Sequence, residues 1–314
     1  MHTVSIGIDV SKDKFDAAFL AADRSSTVST FANNEIGINH FIDRLNRQGT
    51  VSSVPCTLES TGMFHLPVAF MVTRAGYQVN CINPILTKKY QRSSIRNAKT
   101  DEIDALRLAT IGIQEPNLPI FEANTEAVEV KKIVSYISKL EALKEQLKAS
   151  TDSVLAMQKI TGLSVDLSQT SLAITALQKQ IKSLSREVIK RVPEDKLRLS
   201  REMMGISEER IAFIFALIGD KKFRSRDALI AFVGLDITPR QSGTWRGRGK
   251  LSKRGNGYAR KLLFQMAWGL KQHNPLYRER YNELRKSGKS YKASLVILSR
   301  KFLRLLYSQY WKTC

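Results

Sequence analysis

Cysteine is scarce: Cys56, Cys81 and Cys314 are the only three in 314 residues, at no regular spacing. That excludes a disulfide framework and points to a reduced, cytoplasmic compartment with free thiols. The four histidines (His2, His40, His65, His273) are scattered, which argues against a zinc centre. No apolar run approaches the length of a spanning helix, so no membrane segment is expected. The start, Met1 to Val10, is short, mixed and contains Asp9, unlike a secretory signal. Acid is also in short supply. Asp and Glu number 29 against 50 Lys and Arg, a net charge of +21. Such a balance calls for a polyanionic partner, with nucleic acid ahead of a membrane surface. The shortage is sharpest at the end: from Arg240 to Cys314, 19 Lys or Arg face only Glu279 and Glu283, a net of +17. The preceding 239 residues carry only +4, so the electrostatic footprint belongs to the C-terminal part.

What is present is ordinary globular material. The apolar fraction is 43%, and the length suits two domains with separate cores. Val4–Val10 alternates and carries Asp9 at its end. Phe15–Ala21 and Thr27–Ala32 read as two further strands, joined by a turn at Asp23-Arg24-Ser25-Ser26. Ile38, Phe41, Ile42 and Leu45 have helical spacing, and Gly49 follows as a stop. Val54–Glu59 and Tyr77–Ile82 read as strands around a helix over Phe64–Arg74. Pro84 opens another helical stretch, and Thr100 caps Asp101–Gly112. Three meandering strands followed by alternating units predict a mixed sheet with helices on its faces over residues 1–114.

Residues 115–125 hold two prolines and no periodicity, and read as a linker. Over 126–195, Ile133, Leu140, Leu147 and Val154 repeat every seven residues, with Val130 and Ile137 as a partner series. After Gly162, Ile174, Ile181 and Val188 do the same beside Leu177 and Leu184. The pattern predicts an antiparallel helical hairpin or coiled-coil arm; segments this short also suit an ordinary helical core. Residues 196–314 read as mostly helical: Leu199–Ile218, broken at Gly205, then Phe223–Val233, Tyr258–Lys271, Pro275–Arg285 and Ala293–Tyr310.

Two constellations carry chemistry. Asp9 and Glu59 end the first and fourth strands, and Asp101 and Asp104 stand three apart at a helix start, on one face. If the two strands are neighbours, the four acids converge. Converging carboxylates need cations, and oxygen-only ligands suit Mg²⁺ or Mn²⁺, ions that serve phosphodiester chemistry. Read more plainly, Asp101 and Asp104 favour a helix N-terminus, and Asp9 and Glu59 are surface acids at strand ends. The second constellation is Pro239-Arg240-Gln241-Ser242-Gly243-Thr244-Trp245-Arg246-Gly247-Arg248-Gly249-Lys250, followed by Leu251-Ser252-Lys253-Arg254-Gly255-Asn256. Arg240, Arg246, Arg248, Lys250, Lys253 and Arg254 are candidate phosphate contacts. Ser242 is either a nucleophile, which needs a base from elsewhere, or a hydrogen-bond donor in a flexible Arg/Gly loop. Ser252 suits the N-cap of the following helix better than catalysis. Trp245 is a candidate base or sugar contact; most of the other C-terminal aromatics have core spacing, and His65 suits packing.

Gly7-Ile8-Asp9-Val10-Ser11-Lys12, Leu58-Glu59-Ser60-Thr61-Gly62 and Lys99-Thr100-Asp101-Glu102-Ile103-Asp104-Ala105 resemble the three blocks of the IS110/IS1111-type transposases and the related Piv DNA invertases. The Arg240–Gly243 and Gly247–Asn256 stretches resemble that family's second signature. The resemblance covers nearly the whole chain. It implies a RuvC-like, RNase H-type domain whose Asp-Glu-Asp-Asp set is Asp9, Glu59, Asp101 and Asp104, with Mg²⁺ or Mn²⁺ as cofactor. It implies that Ser242 is the nucleophile of a covalent serine–DNA intermediate, in a composite site assembled between subunits of an oligomer, a dimer or tetramer. It implies DNA as substrate, a structured non-coding guide RNA as partner, and a nucleoid-associated, prokaryotic setting. One departure is visible: where the family usually has a Gly-Ile-Gly turn, this chain has Gly205-Ile206-Ser207, which puts a backbone-binding hairpin there in doubt.

Overall fold

The computed structural model describes residues 3–60, 62–92, 100–219, 221–242 and 245–312, and at 92, 239–242 and 245–248 the backbone alone. The chain divides into two compact units, Met1–Asn124 and Thr125–Cys314.

The first unit is built on a five-stranded sheet in the order β3-β2-β1-β4-β5. Its strands are β1 (Thr3–Val10), β2 (Lys14–Ala21), β3 (Ser26–Ala32), β4 (Cys56–Glu59) and β5 (Val79–Ile82). The first three form an antiparallel meander, and β1, β4 and β5 run parallel. Helices α1 (Glu35–Arg47), α2 (His65–Arg74), α3 (Pro84–Arg92) and α4 (Asp101–Gln114) complete the unit. This is the mixed sheet that the strand pattern predicts, with the topology expected of a RuvC-like domain.

Period-two alternation assigns the two faces. Ile6, Ile8, Phe15, Ala17, Phe19, Cys56 and Leu58 point to one side and pack on Ile38, Phe41 and Leu45 of α1 and Val68 and Val72 of α2. Phe41 is fully buried, with the rings of Phe15, Phe31 and Phe19 at 5.5, 5.3 and 6.1 Å. Removing such a ring costs about 3–5 kcal/mol. The opposite face, with Ser5 and Gly7 of β1 and Thr57 of β4, lies under α4. A β-carbon on Gly7 would meet the Ala105 carbonyl oxygen at 1.9 Å, and one on Gly112 would meet the Ser5 hydroxyl at 2.6 Å. Ser5 Oγ donates to the Ala109 carbonyl at 2.8 Å. The helix therefore rests on the strand backbone and runs antiparallel to β1, which brings its N-terminus to the C-terminal end of β1.

Within the 115–125 stretch expected as a linker, Ile120 and Phe121 lie along the sheet edge of this unit. The Phe121 N–H donates to the Val79 carbonyl at 2.7 Å, and the Phe121 ring packs edge-on to Phe70.

The second unit opens with α5 (Thr125–Thr161) and α6 (Ser168–Arg191), the helical hairpin that the heptads predict. Arg191 near the end of α6 pairs with Glu129 near the start of α5 at 3.0 Å, which fixes the antiparallel sense. Val130, Val134 and Ile137 of α5 and Val188 of α6 are buried in the unit's core. Further out the seam is only half-buried, and Leu155, Ile160, Leu163 and Leu172 are exposed. Then come α7 (Glu194–Glu202), α8 (Glu208–Ile218), α9 (Arg226–Val233), β6 (Ile237–Ser242), β7 (Trp245–Leu251), α10 (Gly257–His273), α11 (Pro275–Lys286) and α12 (Tyr291–Leu306), with a π-turn over Tyr307–Trp311. Seven of the eleven residues of α8 are buried, so it is the central helix, with α5, α6, α7 and α10 packed around it. The break at Gly205 divides the predicted 199–218 helix into α7 and α8. Gly205 (φ +98°) lies against Gly269 of α10, where an added β-carbon would meet a carbonyl oxygen at 2.4 Å.

Two expectations are corrected here. The Arg/Gly stretch is an antiparallel hairpin of β6 and β7 rather than a loop. Asn256, not Ser252, caps the following helix: its side chain accepts from the Tyr258 and Ala259 N–H groups. Ser252 donates its hydroxyl to Asp236 and its N–H to the Asp236 carbonyl, closing the base of the hairpin.

Candidate active site

Four of the singled-out acids gather at one end of the first unit's sheet. Asp9 is two positions beyond Gly7 and so faces α4. Ile8 pairs with Leu58 in the parallel β1–β4 ladder, which sets Glu59 beside Asp9 on the same face. Close packing of α4 on Gly7 brings the helix's first turn, with Asp101 and Asp104, to the same end. Thr100 caps that helix, its hydroxyl oxygen accepting from the Ile103 N–H at 3.3 Å.

The electrostatics register this convergence. Asp9 is pushed above the usual carboxylate range, to about 6, first by burial and then by the charges of Asp104, Asp101, Glu59 and Asp16. The other acids are held by neighbours. Asp104 pairs with Arg107 one turn along the helix, and Glu59 accepts from the Thr87 hydroxyl. Asp101 pairs with Lys14 at 3.0 Å. Among the described residues, no three acidic, His or Cys side chains close into a metal coordination shell. His65 is buried, and burial pushes the Cys56 thiol up to about 12, which leaves it inert.

Three participants escaped sequence reasoning. Asp16 is directly opposite Asp9 in the β1–β2 register and is buried, with Thr30 and Lys14 as partners. Lys14 stands between Asp16 and Asp101, and Arg107 pairs with Asp104. The available signal was Asp16 itself, a lone acid inside the apolar run Phe15–Ala21. A cleft of about 510 Å³ opens beside these residues, lined by Lys14, Asp16, Thr30, Thr100, Asp101 and Glu102.

In the second unit, the backbone places Ser242 at the end of β6 in register with Trp245, while Arg240 pairs with Gly247 and Gln241 with Arg246. The side chains of Arg240, Ser242, Trp245, Arg246 and Arg248 lie outside the described residues, as do Gly243 and Thr244. Lys250 is exposed at the base of the hairpin, opposite Thr238. Lys253 (φ +53°) and Arg254 are exposed in the turn before α10, and the Lys253 N–H donates to the Gly234 carbonyl at 3.2 Å. Of the other tryptophans, Trp311 is buried and Trp268 is exposed.

Residues 6–160 match the model of the IS110 transposase DEDD domain, and residues 197–282 match that of the transposase IS116/IS110/IS902 family. The chain belongs to the IS110 family of transposases. Two curated relatives, the pilin gene-inverting proteins of Moraxella bovis and Moraxella lacunata, are each 26% identical to it over 316 aligned positions, spanning 98% of this chain and 96% of the relative. As an IS110-family transposase it is an enzyme that cleaves and rejoins DNA strands. The first match includes Asp9, Glu59, Asp101 and Asp104, and the second includes Ser242 and its cationic neighbours. Among the described residues no helix is long and apolar enough to cross a membrane.

Proposed function

We propose that this transposase is a site-specific DNA recombinase in which Ser242 is the nucleophile and Asp9, Glu59, Asp101 and Asp104 hold Mg²⁺ or Mn²⁺. The observation that carries the reading is the gathering of these acids at one end of the sheet, where burial first and then the charges of Asp104, Asp101, Glu59 and Asp16 push Asp9 up to about 6. A site of oxygen donors with surplus negative charge fits a hard divalent cation, which would relieve that repulsion. When bound, such an ion stabilises charge on the attacking and leaving oxygens of phosphoryl transfer.

The chain's own residues supply the remainder. The Ser242 hydroxyl attacks the phosphorus of one strand, a Ser–O–P bond forms and the bond to the leaving strand oxygen breaks. The serine proton passes to a carboxylate, Asp101 or Asp104, and from there to the leaving oxygen. Arg240, Arg246, Arg248, Lys250, Lys253 and Arg254 bind the DNA backbone and offset charge developing on the phosphate. Because the hairpin offers no base of its own, the serine depends on the carboxylate unit, of its own or of a neighbouring subunit. A dimer or tetramer joined through the α5–α6 arm would bring the parts together, and the exposed Leu155, Ile160, Leu163 and Leu172 support that role. A non-coding RNA would guide site choice, and the charge of +21 accommodates RNA beside DNA.

The test is strand cleavage of a DNA carrying the element's ends, with Mg²⁺ and any RNA that co-purifies. Wild type is expected to leave a covalent protein–DNA adduct, and Ser242→Ala to abolish both adduct and nicking. Full nicking by Ser242→Ala without adduct would replace the serine with water as nucleophile.

A further inference from the structure

Lys14 has an unusual position for a surface lysine. Its Nζ is 3.2 Å from Asp16 Oδ2 and 3.0 Å from Asp101 Oδ2, so one ammonium joins β2 to the first turn of α4. The two partners differ. The Asp16 side chain is 5% exposed and its other oxygen accepts from the Thr30 hydroxyl, so it is fixed. The Asp101 side chain is 60% exposed and, among the described residues, has no such anchor. The base of the lysine is fixed too: its carbonyl accepts from the Ser11 N–H at 2.9 Å and from the Ser11 hydroxyl at 2.7 Å. Lys14 is thus tethered on one side and releasable on the other. The acid it can release is one of the four proposed to bind a divalent ion.

We infer that Lys14 is a built-in counter-cation of the carboxylate site: it holds Asp101 while no divalent ion is bound and gives Asp101 up when one binds. This rests on the reading of Asp9, Glu59, Asp101 and Asp104 as metal ligands. The physical reason is competition. An ammonium on one carboxylate oxygen offers one unit of charge through a hydrogen bond. A dication offers two, and inner-sphere bonds. Without Lys14, Asp101 would stand among Asp9, Asp104 and Asp16 and would lose the ion pair that the described residues give it. Asp16 is then a positioning residue that keeps the lysine within reach, rather than a fifth ligand. Lys14 is not assigned a contact with DNA.

The experiment is Mn²⁺ binding to the full chain, by calorimetry and by loss of the free-ion paramagnetic signal, for wild type, Lys14→Gln, Lys14→Arg and Asp16→Asn. Lys14→Gln is expected to bind Mn²⁺ about five- to tenfold more tightly, because a competing positive charge is gone. Lys14→Arg is expected to stay near wild type. In chelator, Lys14→Gln is expected to melt below wild type, and the gap is expected to close at saturating Mn²⁺. Asp16→Asn separates tether from ligand: it is expected to retain Mn²⁺ binding, whereas loss of binding would make Asp16 a ligand and overturn its assigned role. Unchanged or weaker affinity in Lys14→Gln, beside normal wild-type binding, overturns the inference and leaves the metal reading standing. If neither protein binds Mn²⁺, both fall together. Weakened DNA binding with unaltered Mn²⁺ affinity would make Lys14 a phosphate contact instead.

Discussion

At the scale of the residue, Asp9 is where the fold and the chemistry conflict. Its folded pKa is about 6, above the ordinary value of 3.8, so between those pH values the folded chain binds more protons than the unfolded one. Stability is therefore lost as pH rises from about 4 to about 6, and the full cost persists at neutral pH. For a fully shielded group that cost would be about 3 kcal/mol. Asp9 is partly exposed, so screening reduces it to about 1–2 kcal/mol. Asp9→Asn is accordingly expected to raise the melting temperature of the metal-free protein by a few degrees at pH 7.5, and to change little at pH 4. Scanning calorimetry at the two pH values checks this; a loss of stability at pH 7.5 would refute the cost that burial and the neighbouring carboxylates place on the Asp9 charge. A divalent cation should shrink the advantage, since it relieves the same repulsion.

At the scale of the element, the acids meet because α4 can rest on bare backbone. Gly7 allows it, and Gly112 allows it one end further along. Gly7→Val keeps every acid but pushes α4, and with it Asp101 and Asp104, away from Asp9. Because the added side chain meets helix backbone, the variant is expected to melt below wild type and, at temperatures where it is folded, to cleave strands about 100-fold less. Activity within a few-fold of wild type would show that the α4 position is not critical. How much of this was legible is itself an element-level matter. Asp9 and Glu59 at strand ends, and two acids behind a capping threonine, are local patterns; that β4 lies beside β1, so that the acids meet, is set by the folded sheet. Asp16, Lys14 and Arg107 were not legible, because their roles depend on strand register and on which face α4 covers. The hairpin was missed for another reason. Arg246-Gly247-Arg248-Gly249-Lys250 has the period-two alternation of a strand, but the glycines suggest a loop and no apolar residue marks a face. Ser252 was misplaced because Asn256, four residues on, is the better cap and lies directly before the helix.

At the scale of the whole molecule, the machinery is divided: the carboxylates are in one unit, the serine and most of the positive charge in the other, and the helical arm is proposed to join copies. The outer part of the arm carries exposed apolar side chains that a two-helix hairpin cannot cover. Ile160→Asp combined with Leu172→Asp removes two of them without touching a core, so the melting temperature should stay within a degree or two. Light scattering after gel filtration is expected to show a smaller assembly than wild type; an unaltered mass would place the self-association surface elsewhere. The division itself is tested most directly by the yield of covalent protein–DNA adduct from Asp9→Asn, in which Ser242 and its arginines are intact. The account predicts that this variant binds DNA like wild type and forms no adduct, because the serine has no other source of activation. Adduct at the wild-type level would contradict it and leave the carboxylates without a part in the chemistry.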